Sequence, residues 1–173
     1  MDGADDAQDR KVVTDRGPDG LERLWTPWRM AYVAGPAKPE GCPFCDPDPD
    51  LLVARGERVY AVLNKFPYNP GHLLVCPNRH VPDYTDLTKT EVRELGIFTQ
   101  QAIAVIRKVS NAHGFNIGMN LGAVAGAGIA GHLHQHVVPR WGGDSNFLPV
   151  VGGTKALPQL LADTRELLAG AWA

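Results

Sequence analysis

Three histidines alternate with other residues in the segment His132-Leu-His134-Gln-His136, and this spacing is the feature of the sequence that most directly indicates chemistry. In a helix, residues two apart point about 200° away from each other, whereas in a strand they share one face at intervals of roughly 6.6 Å. Three imidazoles on one face make a poor apolar core, because each ring needs hydrogen-bond partners. The spacing therefore predicts a functional row of histidines on a β-strand.

Two kinds of chemistry use such a row, and the residues themselves leave both open. Three histidines can bind a catalytic zinc ion that keeps a fourth position for water. Alternatively, one neutral imidazole attacks phosphorus and becomes transiently covalent, while the outer imidazoles donate hydrogen bonds to the phosphoryl oxygens. The first chemistry depends on the metal, whereas the second requires a neutral ring nitrogen that faces the phosphorus.

The residues on either side of the row favour phosphate chemistry. A loop made almost wholly of glycine and alanine, residues 122–131, directly precedes the first histidine, and Arg140 follows the last one. Main-chain N–H groups of such a loop, for example at Gly126 and Gly128, can approach a phosphate closely, and a guanidinium adds a planar cation. Trp141 is next to this segment and is a candidate for contact with adenine or with the phosphate loop. The segment therefore predicts an anion site for a nucleotide phosphate.

A second cluster of reactive residues is Cys42-Pro-Phe-Cys45, which has the spacing of half a structural zinc site. The other two ligands must come from elsewhere in the chain, and His80 and His132 are candidates. If His132 binds zinc, it cannot also act freely on a substrate. The alternative is a pair of reduced thiols on a surface loop.

The composition predicts one domain with a hydrophobic core and a nearly neutral surface. The chain has 173 residues, of which 44% are hydrophobic, and a formal net charge of -2. A general nucleic-acid binder normally has a basic excess, so we expect no nucleic-acid partner. No apolar run approaches the roughly 18–20 residues that cross a bilayer, and the acidic start has no secretory signal. We therefore expect a cytoplasmic protein with reduced thiols and no membrane partner.

The elements that must position these residues predict an α+β fold: an antiparallel sheet of about five strands, one long helix and a C-terminal helix. Residues 1–20 are predicted to be a disordered acidic tail, and residues 21–173 a single domain that opens with a short helix or arm at 21–33. A capping box at Thr88 and Glu91 opens the long helix, which His113-Gly114 closes. The strands are predicted at 53–55, 59–63, 72–76, 115–120 and 132–139, and the last helix at about 158–169.

These residues resemble the HIT (histidine triad) superfamily, in which three histidines alternate with apolar residues and two further apolar residues follow. The sequence departs from that motif only at Gln135, whose side chain is expected on the opposite face of the strand. The resemblance covers about residues 41–150 and includes four further segments, Cys42–Cys45, Asn64–His72, Asn116–Asn120 and Val138–Asp144. Within the superfamily, the stretch from Trp141 onward is similar to the HIT-type diadenosine tetraphosphate phosphorylases.

The resemblance implies an HIT-like fold and an enzyme that cleaves diadenosine polyphosphates through a nucleotidyl-histidine, without an organic cofactor. Inorganic phosphate would convert diadenosine tetraphosphate into ADP and ATP. His134 would be the nucleophile, supported by His136 and His132. Asn120 would hold the loop or a phosphate, and Asn64 would contact the ribose.

Zinc-containing members of the superfamily imply that a structural zinc ion is bound by Cys42, Cys45, His80 and His132. The resemblance also implies a homodimer or a higher homo-oligomer in which two sheets join edge to edge.

Two alternatives to phosphorolysis stay open. Relatives carry Gln, Ser or Thr four residues before the first histidine, where this chain has Gly128, so the choice between phosphate and water is not decided. Water would make the protein a hydrolase that releases AMP from dinucleoside polyphosphates or other AMP conjugates. The second alternative is a nucleotide-binding regulator that retains the histidine row without turnover.

Overall fold

The computed structural model describes residues 41–144 and 159–172, together with two short strands near the start of the chain. It divides the chain into two units, 1–38 and 39–173. In the first unit, β1 (Thr14–Arg16) pairs with β2 (Glu22–Leu24) in antiparallel fashion. The start of the arm predicted at 21–33 is therefore strand rather than helix. The rest of that arm, and the rest of the tail predicted for 1–20, lie outside the described residues.

The second unit is an α+β domain with a five-stranded antiparallel sheet, as the sequence predicts. Its elements are β3 (Leu52–Arg55), β4 (Val59–Leu63), β5 (Leu73–Pro77), α1 (Lys89–Ser110), β6 (Gly114–Met119), β7 (Gln135–Arg140) and α2 (Leu161–Ala171). The strand order in the sheet is β3-β4-β5-β7-β6. Short 3-10 turns occur at Tyr84–Asp86 and Ala123–Ala125. Among the described residues, neither helix combines the length and apolar character that a membrane span requires.

The two faces of the sheet carry different side chains. The helix face packs against α1 and α2 and forms the main core, which includes Val59, Ala61, Leu63, Leu73, Val75, Leu95, Phe98, Ala102, Ile106, Val137 and Leu168. The other face carries a smaller apolar cluster of Tyr60, Val62, Leu74 and Cys76. His136 pairs with Leu74 of β5 and Gly118 of β6, so its side chain lies on this second face, which we call the histidine face.

The long helix α1 begins as predicted. The hydroxyl of Thr88 accepts from the N–H of Glu91, and the Glu91 carboxylate accepts from the N–H of Thr88 in return. The helix ends at Ser110, earlier than the predicted end at His113-Gly114, because Asn111 adopts the left-handed conformation (φ 51°) that asparagine tolerates. The helix α2 covers Leu161–Ala171, so it begins and ends a few residues later than the predicted 158–169.

Candidate active site

The histidine row begins before the strand that was predicted to carry all of it. β7 begins at Gln135, where pairing with β5 starts, so only His136 of the three lies within the strand. Just before it, the N–H of Leu133 donates to the carbonyl of Val81, 2.7 Å away, rather than to a neighbouring strand. The prediction of a strand over 132–139 is therefore wrong for its first three residues. The first two histidines consequently do not have to share one face, and their surroundings differ.

A hydrogen bond at Nδ1 of His134 fixes which of its ring nitrogens is protonated. Nδ1 lies 2.8 Å from the carbonyl oxygen of His132. A carbonyl oxygen only accepts, so the proton is on Nδ1 and the lone pair is on Nε2. The His134 ring is buried, and its centroid lies 4.8 Å from the ring centroid of Phe44. His134 thus has the tautomer in which Nε2 can act as a nucleophile.

The tautomer of His136 is set by a buried chain of contacts through His72. The main-chain N–H of Tyr68 donates to Nδ1 of His72 at 3.1 Å, and Nδ2 of Asn64 lies 3.4 Å from the same nitrogen. The proton of neutral His72 is therefore on Nε2, which donates to Nδ1 of His136 at 2.9 Å. Neutral His136 then carries its proton on Nε2. With ring centroids 5.1 Å apart, His134 offers a lone pair and His136 offers a donor.

Burial keeps these rings neutral at physiological pH. Burial, reinforced by repulsion from His136 and then from His134, lowers the pKa of His72 to about 3. Burial and then His134 lower the pKa of His136 to about 4. Burial also lowers the pKa of His134, although its bond to a main-chain carbonyl opposes the shift. Since a protonated imidazole has no lone pair, the lowered pKa keeps the nucleophilic form populated.

The ring nitrogens of His132 contact β5 and the segment Cys42–Cys45, which we call the cysteine loop. Its Nε2–H donates to the carbonyl of Pro77 at 2.9 Å, so the lone pair is on Nδ1. That nitrogen lies 3.4 Å from Sγ of Cys42 and 3.6 Å from Sγ of Cys45, while Nδ1 of His80 lies 3.2 Å from Sγ of Cys45. The four ligand atoms all lie within 4.8 Å of one another, and we call these four residues the metal cluster.

The chemistry of this donor set fits a tetrahedral metal ion. Two thiolates and two neutral imidazoles are ligands that zinc prefers, and Zn–S and Zn–N bonds of about 2.3 and 2.0–2.1 Å place N and S about 3.6 Å apart. The observed N–S distances of 3.2–3.6 Å are close to that value. Within the part of the chain that the structure describes, this is the one group of three or more such side chains placed to hold a metal. The described residues therefore do not form the alternative tri-histidine metal site, because His132 belongs to the metal cluster.

Asn64 and Asn120 each come directly after a strand of the sheet. Asn64 follows β4, and its side-chain amide lies 3.4 Å from Nδ1 of His72. Asn120 follows β6, two residues after Gly118, which pairs with His136. Asn64 therefore touches the chain of histidines through His72, while the predicted contact of Asn120 stays a prediction.

The glycine-rich loop forms a compact turn. Gly122 and Gly126 flank the 3-10 turn at Ala123–Ala125 with φ of 77° and 90°, a region that glycine enters without strain. The N–H of Gly126 donates to the carbonyl of Ala123 at 3.0 Å, so this donor is used within the turn. Gly128 lies exposed two residues further on. A phosphate contact through the N–H of Gly126 would require this turn to open.

Arg140 and Trp141 lie away from the paired histidines. Arg140 is four residues beyond His136, about 13 Å along the strand, and its guanidinium forms an ion pair with Asp144. Trp141 packs on the helix face, where its Nε1–H donates to the carbonyl of Ser110 at 3.0 Å. These placements do not support the predicted phosphate contact by Arg140 or the predicted adenine contact by Trp141.

Two residues that were not predicted to take part lie against the catalytic candidates. Phe44 comes from within the cysteine loop, and His72 follows the turn formers of the β4–β5 connection. Asn69 of that connection is buried and ties it to the end of β7, since its Nδ2 donates to the carbonyl of Pro139 at 2.8 Å. The run Asn-Pro-Gly-His was the available signal, because it places a histidine directly at the start of a central strand.

The fold and the site are those of a histidine-triad protein. His134 and His136 lie side by side with opposite tautomers, and His132 belongs to the metal cluster. The chain matches the HIT domain over residues 47–143, and it belongs to this family.

Several of the proteins similar to this chain are named as enzymes that act on adenosine nucleotides. The chain is 52% identical to the AP-4-A phosphorylase of Mycobacterium tuberculosis (strain H37Rv) over 188 aligned positions, which cover 99% of this chain and 96% of that protein. It is 39% identical over 85 residues to the bifunctional bis(5'-adenosyl)-triphosphatase/adenylylsulfatase FHIT of Arabidopsis thaliana, covering 49% of this chain and 47% of that one. Among solved structures, a Zn-bound histidine triad family protein from Mycobacterium smegmatis has a TM-score of 0.63 and 28% identity, covering 76% of this chain and 93% of that one.

Proposed function

We propose that this protein cleaves diadenosine tetraphosphate by phosphorolysis to ADP and ATP, with His134 as the nucleophile. The observation that carries the proposal is the hydrogen bond from Nδ1 of His134 to the carbonyl of His132, because it leaves an unprotonated Nε2 on a buried ring. The 52% identity to an AP-4-A phosphorylase over 99% of the chain supports the choice of substrate and of phosphate as the second reactant.

The reaction divides into two displacements at one phosphorus atom. Nε2 of His134 attacks the phosphorus that bears one adenosine, a P–N bond forms, the P–O bond to the remaining chain breaks, and ATP leaves. An oxygen of inorganic phosphate then attacks the same phosphorus, the P–N bond breaks, and ADP leaves with neutral His134 restored. The Nε2–H of His136 donates to the phosphoryl oxygens, where negative charge accumulates. Asn64 would contact the ribose and Asn120 the loop or a phosphate.

We also infer that the metal cluster holds a structural zinc ion. Cys42, Cys45, His80 and His132 supply four protein ligands, so a tetrahedral ion has no open position for a reactive water. The ion would supply folding stability, and the chemistry would stay with the imidazoles. The solved relative described as Zn-bound supports zinc as the metal.

Product analysis tests the proposed reaction. Diadenosine tetraphosphate is incubated with the protein with and without inorganic phosphate, and the nucleotides are separated by chromatography. We expect equal amounts of ADP and ATP that form only with phosphate. His134→Asn should abolish them, whereas His113→Asn, at an exposed histidine that contacts Gly142 just after β7, should leave the rate unchanged. ADP formation that survives in His134→Asn would overturn the assignment of the nucleophile.

Hydrolysis is the second candidate function, because the loop before the histidine row does not decide between phosphate and water. Gly128 is exposed and offers no side chain at the loop position where the resemblance places Gln, Ser or Thr. Water would then resolve the nucleotidyl-histidine and release AMP. AMP and ATP in phosphate-free buffer, at a rate that phosphate does not raise, would establish hydrolysis instead of phosphorolysis.

We further propose a cytoplasmic homodimer. β6 is an edge strand of the sheet, and Ile117 on it is 47% exposed, which supports pairing of two sheets edge to edge. Light scattering coupled to gel filtration measures the mass directly, and twice the monomer mass of 18.7 kDa is expected.

A further inference from the structure

Phe44 lies between the two cysteines of the metal cluster and against the proposed nucleophile. Its ring centroid is 4.8 Å from that of His134, with the planes inclined by 40°, and 5.7 Å from that of His132 in an edge-on arrangement. The flanking cysteines close a turn in which the N–H of Cys45 donates to the carbonyl of Cys42 at 3.0 Å. The side chain that packs on the nucleophile is therefore part of the turn that carries two of the four metal ligands.

His132 makes a second link between the metal cluster and the nucleophile. Its Nδ1 lies among the thiols, 3.4 Å from Sγ of Cys42, while its carbonyl accepts the Nδ1–H of His134 at 2.8 Å. Its Nε2–H is bonded to the carbonyl of Pro77, so both ring nitrogens are used. The main chain of one metal ligand is thus the acceptor that fixes the tautomer of the nucleophile.

We propose that Phe44 is a positioning residue for His134 and that closure of the metal cluster holds both Phe44 and the His132 carbonyl in place. The proposal rests on the proposed function, in which His134 attacks phosphorus. Two contacts act on one ring, Phe44 against its face and the carbonyl at its edge, and both belong to segments that the metal cluster joins. When the cluster opens, the ring of His134 gains a second orientation and a second tautomer, so fewer molecules direct an Nε2 lone pair at the phosphorus.

Phe44 also has an anchor that does not depend on the metal. Its carbonyl accepts from the hydroxyl of Tyr60 at 2.6 Å, and its ring packs beside the apolar cluster of the histidine face. The bond to Tyr60 keeps the main chain of Phe44 on the sheet when the metal cluster opens, while the ring of Phe44 can then shift against His134. We therefore expect misorientation of His134 and a rate loss of about tenfold, in the range that small displacements of reacting groups produce, rather than unfolding.

The test compares Phe44→Leu with Phe115→Leu, a matched loss of a half-buried ring on the helix face. Each protein is loaded with Zn²⁺ for nitrogen-15 NMR of the ring nitrogens, with the His134 signals assigned by their loss in His134→Asn, and with Co²⁺ for visible absorption of the ligand set. We expect Phe44→Leu to keep the Co²⁺ spectrum while the His134 signals shift toward a mixture of tautomers and single-turnover release of ATP slows about tenfold. Phe115→Leu should change none of the three.

His80→Ser provides a second route, because it opens the metal cluster at an exposed ligand that does not contact His134. This variant, and wild type treated with a chelator, should show the same shift of the His134 signals. Unchanged His134 signals in both Phe44→Leu and the chelated wild type would overturn the proposal. The NMR measurement needs no substrate. It therefore tests the positioning of His134 even if the product assay shows that the protein does not catalyse phosphorolysis.

Discussion

At the scale of single residues, the contact at Nδ1 decides what each histidine can do. A carbonyl acceptor at Nδ1 of His134 leaves a lone pair on Nε2 of that ring. A donor at Nδ1 of His136 instead leaves a proton on Nε2 of His136. The alternating spacing predicts that the two rings are neighbours. It could not predict their tautomers, because the partner of His136 is His72, which is 64 residues earlier in the chain.

Replacing His72 tests whether the donor on His136 matters. In His72→Leu the Nδ1 of His136 loses its partner and either tautomer becomes available, so we expect the single-turnover release of ATP to slow by about tenfold or more. His113→Leu is the matched control, because that histidine is exposed and lies outside this chain of contacts. An unchanged rate in a folded His72→Leu protein would mean that His136 needs no orientation from His72.

The same two residues predict how stability depends on pH. The pKa values of His72 and His136 fall from about 6.5 in the unfolded chain to about 3 and about 4 in the folded protein. Below pH 6.5 the unfolded state therefore binds protons that the folded state does not. The contribution of these two histidines to the free energy of unfolding should be complete above pH 6.5. It should fall as the pH drops from 6.5 toward 4 and 3.

Urea unfolding at several pH values measures this dependence. The difference between wild type and His72→Leu isolates the contribution of the histidine chain from that of the metal ligands, which also bind protons in acid. We expect the slope with pH to be smaller in the variant. Equal slopes would show that these histidines are not the source of the acid sensitivity.

At the scale of elements, local signals predicted the helix and failed at the start of a strand. The Thr88–Glu91 capping box satisfies donors within four residues, so the sequence alone locates the beginning of α1. The beginning of β7 depends instead on partners from other parts of the chain. Pairing with β5 starts at Gln135, and the N–H of Leu133 donates to the carbonyl of Val81. Those partners are distant in sequence, and side-chain alternation carries no information about them.

Thr88→Ala tests whether the capping box stabilises the domain independently of the site. The hydroxyl accepts from the N–H of Glu91, so its loss should lower the free energy of unfolding by about 1 kcal/mol. We expect the rate of ATP release to be unchanged, since the helix begins on the opposite face of the sheet from the histidine face. Chemical denaturation and product assays on the same preparation check both statements, and a lost activity without lost stability would contradict them.

At the scale of the whole domain, the metal cluster joins parts of the chain that are far apart in sequence. The contact between Cys42 and His132 spans 90 residues, so it restrains the cysteine loop against the segment that leads into β7. The spacing of Cys42 and Cys45 predicted half of a metal site. It could not by itself select His80 and His132, which were named as candidates and supported by the family resemblance.

Removing one thiolate should therefore weaken the fold and lower the metal content together. For Cys45→Ser we expect less than one bound zinc per chain by elemental analysis and a loss of about 2–3 kcal/mol, which corresponds to a fall in Tm of about 5–10 °C. Asp46→Asn, at an exposed neighbouring position, is the control and should retain both metal and Tm. Full stability in metal-free Cys45→Ser would show that the metal cluster contributes nothing to the fold.

Trapping the covalent intermediate tests most directly whether His134 carries the nucleotide between the two displacements. The protein is mixed with diadenosine tetraphosphate in phosphate-free buffer, quenched at alkaline pH within one turnover, digested and analysed by peptide mass spectrometry. We predict one adenosine monophosphate unit on His134, lost on mild acid treatment and converted to ADP when phosphate is added before the quench. If the protein turns over its substrate with phosphate yet carries this unit on another residue, or on none, His134 is not the nucleophile.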